Sequence, residues 1–241
     1  MSEGPKIWYF GLMSDSRSAV VLGGTGAVGS SVVRALLAGD AWRRVTALVR
    51  RADALSEVKD SRLDRRVVDV LDPGQYERFL AGHGVAFCTL GIGEPSKVAR
   101  EEFTRVDLDG TAAFAAACRR QGVTHFLLLT AVLANAKSSI YYTHIKGAVE
   151  ERVRGEGFAR ASFFRPGLLV TPTNRYGFTQ GLALAVFPFI DPLLVGPLSR
   201  FRSIKVSELG KAMVRHAERP GAGVEVLEWK EFQAVLQGTG A

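Results

Sequence analysis

The chain has 241 residues, 47% of them hydrophobic and 23% charged, with two cysteines. Two cysteines argue against a disulfide framework, and the composition supplies enough apolar surface for one large domain or one domain with a small appendage. Lysine and arginine exceed aspartate and glutamate by 31 − 24 = 7. The arginines are scattered in pairs such as Arg43-Arg44, Arg65-Arg66 and Arg119-Arg120, with no basic tract interleaved with aromatics, so no nucleic-acid partner is expected.

Residues 1–17 form an N-terminal extension. Its "IWYFGLM" is too short and too aromatic for a good signal segment and stays open between a docking tail, a weak targeting segment and a leader before Met13. From Ser18 the pattern alternates between apolar runs and helical periodicity. "SAVVLGG" reads as a strand and "AVGSSVVRALLAG" as a helix. "RVTALVRR" and "RRVVDVLD" are further strands, followed by a short helix at "QYERFLAG". "GVAFCTLGIG" is a fourth strand, and residues 96–122 read as one long helical region. "THFLLLTAV" is a fifth strand, "SSIYYTHIKGAVEERVRGEG" a helix and "RASFFRPGLLV" a sixth strand. Strands without internal alternation suit a sheet covered on both faces, and strand–helix repetition implies right-handed crossovers. The expected class is therefore α/β, a doubly wound parallel Rossmann sheet over 18–170. A C-terminal lid and substrate region over 171–241 should pack on the same domain, with helical "VSELGKAMVRHAE", strand-like "GVEVLEW" and helical "KEFQAVLQ". The apolar stretch 181–196 is broken by Pro188, Asp191 and Pro192, so it reads as lid or core and not as a transmembrane span. Cys88 and Cys118 sit in apolar or alanine-rich runs without metal-ligand spacing. They read as reduced, buried thiols of a cytoplasmic protein, with a nuclear location left open and no metal expected.

The first strand runs into "GGTGAVG". Gly24, Gly26 and Gly29 satisfy G-x-G-x-x-G, and Gly23, Gly26 and Gly29 satisfy G-x-x-G-x-x-G. A glycine loop between strand and helix permits a tight turn, lets a pyrophosphate approach the backbone, and offers it the N–H groups of a helix N-terminus. Gly23, Thr25, Gly26, Ala27, Val28 and Gly29 are the expected cradle. At the end of the second strand, where an NAD site usually carries an acid, stand Arg50 and Arg51. An arginine there pairs with a 2′-phosphate, which favours NADP(H) and leaves NAD(H) open. Asp69, with Val70 beside it, is placed to meet the adenine amino group.

Tyr142 and Lys146 are four apart on a helix and share one face. A phenol ordinarily titrates near pH 10, and a neighbouring ammonium favours its ionised form. Thr130, at the end of strand five, is the candidate hydroxyl to hold a carbonyl oxygen. Tyr141 reads as packing and His144 as surface.

With "GGTGAVG", "LVRR", "VVDVLD", "FCTLG", "VDLDGT", "YTHIK" and "FRPGLL" in order, the chain resembles the short-chain dehydrogenase/reductase superfamily in its extended or atypical branch. Within that branch it looks most like the Tat-interacting protein oxidoreductases, over Ser18 to Leu169 and more loosely to Ala217. The resemblance implies bound NADP(H) and a catalytic Tyr142 and Lys146. It also implies Leu90 and Gly91 lining the cofactor, and Arg165, Pro166, Gly167 and Leu168 near the nicotinamide. Asp107 stands where the family has asparagine, and Thr130-Ala131 where it has serine. Two functional readings follow. One is an NADP(H)-dependent oxidoreductase of a small carbonyl or alcohol, with an apolar substrate suggested by the lid. The other is a cofactor-sensing protein that binds a protein partner with little catalysis.

Overall fold

The computed structural model describes residues 17–171 and 191–239. In chain order the elements begin with β1 (Arg17–Leu22), α1 (Ala27–Leu37), β2 (Trp42–Val49), β3 (Leu63–Val67), the short α2 (Pro73–Tyr76) and β4 (Val85–Cys88). Next come α3 (Arg100–Thr104), a π-helical turn (Arg105–Gly110), α4 (Thr111–Arg120), β5 (His125–Leu129), α5 (Tyr141–Gly155) and β6 (Arg160–Phe164). The described chain ends with β7 (Leu169–Val170), β8 (Ile204–Lys205), α6 (Val206–Glu218), β9 (Gly223–Leu227) and α7 (Trp229–Gln237).

Among the described residues the main sheet has seven strands in the order β3-β2-β1-β4-β5-β6-β9, and every neighbouring pair is parallel. The first six follow the doubly wound order that places ligands at the carboxyl ends of the central strands. Successive residues of β1 face opposite layers. Ala19 and Val21 join the core formed with α1, α6 and α7, whereas Val20 and Leu22 join the core formed with α4 and α5. Burial on both faces is the reason for the unbroken apolar run. Residues 204–237, read from the sequence as packing on the main sheet, supply its seventh strand and two covering helices.

Three elements differ from the sequence expectation. The strand read at 65–72 ends at Val67, because the Asp69 carboxylate accepts from Leu71 N at 2.9 Å and closes a turn. The strand read at 160–170 stops at Phe164, and Leu169–Val170 instead pair with β8. The helical region 96–122 contains the π-turn, which adds a residue to one helical turn and redirects the side chains after it. The extension "IWYFGLM" and most of the apolar stretch 181–196 lie outside the described residues.

Three histidines are buried. His83 Nε2 lies 3.0 Å from Thr46 Oγ1, and His125 Nε2 lies 2.9 Å from Ser162 Oγ. His216 Nε2 meets Ser162 Oγ at 3.0 Å and Arg160 at 2.8 Å. Burial, reinforced by Arg44, pushes His83 down to about 4; burial, reinforced by Arg160, pushes His125 down to about 3; the same two causes lower His216. The unfolded chain therefore binds more protons than the folded one below pH ~6.5, and stability falls as the pH drops through that value. By pH 5 the loss should be on the order of 2 kcal/mol each for His83 and His125. Urea midpoints should thus fall between pH 7 and pH 5, with a shallower slope in His83→Gln; a flat wild-type profile contradicts the burial of neutral imidazoles.

Candidate functional site

The loop after β1 turns through Gly23, whose φ is +81°. A Cβ there would lie 2.6 Å from Leu90 N, and one on Gly29 would lie 2.1 Å from Gly23 O. These two glycines bring α1 against the ends of β1 and β4. Gly26 differs: it has an extended backbone, and a Cβ would meet only Gly23 O, at 3.2 Å. It faces the cavity instead. No side chain caps the first turn of α1 and no acidic residue lies in it, so its N–H groups and positive dipole end are offered to an anion.

Three cavities meet along the carboxyl edge of the sheet. The largest, about 640 Å³, is lined by Thr25, Ser30, Arg34, Arg50, Arg51 and Asp53 among others. It shares Thr25 and Arg50 with a cavity lined by Gly23, Gly26, Val70, Leu90 and Gly91. That one shares Gly26, Thr89, Leu90 and Gly91 with a third, whose walls include Ala27, Val28, Ile92, Leu129, Thr130, Tyr142, Lys146 and Leu169. The result is one trough from an arginine-lined end to a tyrosine–lysine end, and it passes over the glycine loop.

At the arginine end, Arg34 pairs with Glu57 at 2.7 Å and Arg51 with Asp53 at 3.1 Å, both in exposed positions. Arg50 has no hydrogen bond or ion pair among the described residues.

At the other end, α5 is held close to the loop after β5, because a Cβ on Gly147 would lie 2.1 Å from Ala136 N. Tyr142 packs on the Phe103 ring at 5.9 Å, and Lys146 Nζ stands 5.9 Å from the Tyr142 ring centre. The Tyr142 hydroxyl has no hydrogen-bond partner among the described residues. Tyr141, by contrast, is hydrogen-bonded to Thr104 Oγ1 and donates to Arg100 O at 2.6 Å, which makes it a packing residue. Lys146 is buried and donates to Asp107 Oδ1 at 2.7 Å, while Asp107 Oδ2 accepts from Ile92 N at 2.8 Å. Burial alone would lower the lysine, but the charge of Asp107 and the neighbouring Tyr142 outweigh it and hold it above its ordinary value as an ammonium.

Several expected site residues are placed otherwise. Thr130 lines the third cavity, but its hydroxyl proton goes to Glu150 Oε1 at 2.8 Å. A hydroxyl has one proton, so Thr130 is not the donor expected for a carbonyl oxygen. Arg165 is bound to the same buried Glu150 through two hydrogen bonds of 2.9 and 2.5 Å. Pro166 and Leu168 use their carbonyls to accept from Val132 N and Ile204 N, and Gly167 packs on the backbone of 201–202. None of Arg165 to Leu168 lines the three cavities; Leu169 does. Asp69 closes its own turn and is absent from the walls, where Val70 stands. Gly29 sits beneath the loop as a packing position. Sequence reasoning missed Arg34 and Ser30, whose signal was their spacing one and two turns into α1, and Glu150, one helical turn beyond Lys146.

A family model described as NAD(P)H-binding matches residues 23–175, and the chain belongs to that family, of atypical short-chain dehydrogenase/reductase-like proteins. Protein HTATIP2 of Rattus norvegicus is 30% identical over 216 residues, covering 89% of this chain and 87% of the rat protein. Protein FMP52-1, mitochondrial, of Scheffersomyces stipitis is 28% identical over 175 residues, 72% of this chain and 76% of its own. Among solved structures, the Citrobacter sp. triphenylmethane reductase complexed with NADP(H) has a TM-score of 0.62 at 20% identity, covering 88% of this chain and 69% of that one. The Methanobrevibacter ruminantium UDP-N-acetylglucosamine 4-epimerase has a TM-score of 0.65 at 18% identity, covering 88% and 76%. These two likenesses concern the fold. No described helix is long and apolar enough to cross a membrane.

The uncapped helix end, the Cβ-free face of Gly26 and the arginine-lined cavity together fit a dinucleotide. Gly26→Val should keep the fold, since φ there is ordinary, while its side chain fills the approach to the loop. Gly29→Ala should instead lower the melting temperature, because the added carbon meets backbone. Thermal melts and NADPH titrations of both variants test this division; a Gly26→Val protein with wild-type affinity contradicts the assignment.

Proposed function

We propose that this chain is an NADP(H)-dependent oxidoreductase of the short-chain dehydrogenase/reductase type that acts on a small carbonyl or alcohol. The observation that carries the reading is the Tyr142–Lys146 pair at one end of a trough whose other end holds Arg34, Arg50 and Arg51. When bound, the nicotinamide supplies or accepts the hydride equivalent. Tyr142, whose hydroxyl has no competing partner among the described residues, gives a proton to the carbonyl oxygen or takes one from an alcohol. Lys146 keeps two ammonium protons beyond the one donated to Asp107, and these are available to ribose hydroxyls.

The N–H groups at the start of α1 bind the pyrophosphate, with Gly26 leaving the approach open. Arg50 takes the 2′-phosphate, and Arg34 and Arg51, in exposed ion pairs of small individual worth, re-pair with it readily. Ile92, Leu129 and Leu169 around Tyr142 favour an apolar or amphipathic substrate. The two buried, unpaired thiols suit a reducing compartment, and we assign the cytoplasm. The committed proton of Thr130 favours a second reading, a cofactor-sensing protein that presents a surface to a protein partner without turnover.

Titration calorimetry should give NADPH at least about a tenfold tighter binding than NADH, a gap of about 1.4 kcal/mol, which Arg50→Ala with Arg51→Ala largely erases. Equal wild-type affinities contradict the NADP(H) assignment. In a panel of carbonyls followed by loss of NADPH absorbance, Tyr142→Phe should lower turnover by about 10²- to 10⁴-fold while cofactor still binds. A Phe variant as active as wild type removes Tyr142 from the chemistry, and no turnover across carbonyl and alcohol panels favours the sensor.

A further inference from the structure

Lys146 is buried, yet its charge is not left to Tyr142. The π-turn carries Asp107, itself buried, to 2.7 Å from Lys146 Nζ, whereas the Tyr142 ring centre is 5.9 Å from the same atom. Both Asp107 oxygens are engaged, Oδ1 by the ammonium and Oδ2 by Ile92 N–H at 2.8 Å, and both bonds suit the ionised carboxylate. Gly91 makes room for it, since a Cβ there would lie 3.0 Å from Oδ1. An ammonium lowers a phenol's titration point through its positive charge, and a carboxylate at contact distance largely cancels that charge.

We propose that Asp107 is a positioning residue that claims the charge of Lys146, so that Tyr142 keeps its proton at neutral pH and the site is set to reduce carbonyls. The proposal rests on the reading of Tyr142 as the acid–base group. In that direction a bound reduced nicotinamide would supply the hydride, with its two electrons, that the carbonyl carbon gains as the C=O π bond breaks. The oxygen takes the Tyr142 proton, and a proton drawn from bulk solvent restores the phenol, so one solvent proton is consumed per turnover. The reverse direction needs tyrosinate at the start, which the Asp107–Lys146 pair disfavours.

The other groups around the pair do not compete. Cys88, from β4, has its thiol pushed up to about 11 by burial and is neutral. Tyr141 is tied to Thr104 and Arg100, and the Arg100 guanidinium lies over the Tyr141 ring at 4.9 Å. Glu150, one turn further along α5, is held by Thr130 and Arg165.

The test is a tyrosinate titration by ultraviolet difference absorbance on the full chain without cofactor, with Tyr142→Phe subtracted to isolate Tyr142. It needs no turnover, so it judges Asp107 separately from the activity assay of Tyr142→Phe. Wild-type Tyr142 should reach its ionisation point only above about pH 9. Asp107→Asn, which keeps shape and removes charge, should lower that point by about 1 to 3 pH units, and Asp107→Glu should restore it. Wild-type ionisation below about pH 9, or an Asp107→Asn protein that titrates as wild type because Lys146 sheds its proton instead, overturns the proposal. The difference between wild type and Tyr142→Phe decides even if the Asp107 variants do not fold.

Discussion

Between the end of β1 and the first turn of α1 the chain packs backbone on backbone. Gly23 O lies where a Gly29 Cβ would be, and Gly23 itself rests on the Thr89–Leu90 peptide. With no side chain between them, the helix start, the loop and the end of β4 come together at one point of the sheet. The wall of the trough, the open face of Gly26 and the uncapped N–H groups all follow from that contact. A side chain at either glycine would separate α1 from the sheet before any ligand entered the question.

The far end of the trough depends on a different force. Two ion pairs anchor α5, the buried Lys146–Asp107 pair on one turn and, on the next, buried Glu150 with partly exposed Arg165. Buried pairs owe much of their importance to the cost of breaking them, because a lone buried charge is penalised by several kcal/mol. The pairs therefore fix where α5 sits relative to β5, β6 and the π-turn. They also consume groups that look available in the sequence. Thr130 and Arg165 serve Glu150, and part of the hydrogen-bonding capacity of Lys146 serves Asp107. The site that remains is sparse: a phenol without a partner among the described residues, an ammonium with two protons to spare, and apolar walls.

The sheet was legible because burial on both faces leaves a mark in the sequence. "AVVL" and "HFLLL" carry no alternation, and the glycine loop and the Tyr142–Lys146 spacing are local patterns with a steric or helical cause. What was illegible depends on partners distant in sequence. Nothing near Thr130 announces that Glu150, 20 residues on, takes its proton. The π-turn is equally silent, since Arg105–Gly110 carry ordinary helical periodicity, yet it decides where Asp107 points. The turn that Asp69 closes is local, since an aspartate two residues before a free N–H readily accepts from it.

In the proposed function, one continuous trough orders a dinucleotide from Arg50, across Gly26, to Tyr142. A crystal structure grown with NADPH tests it most directly. The 2′-phosphate is expected at Arg50, the pyrophosphate on the first turn of α1 and the nicotinamide beside Tyr142 and Lys146. A dinucleotide bound in the reverse sense, or with its nicotinamide outside the cavity lined by Tyr142, contradicts it.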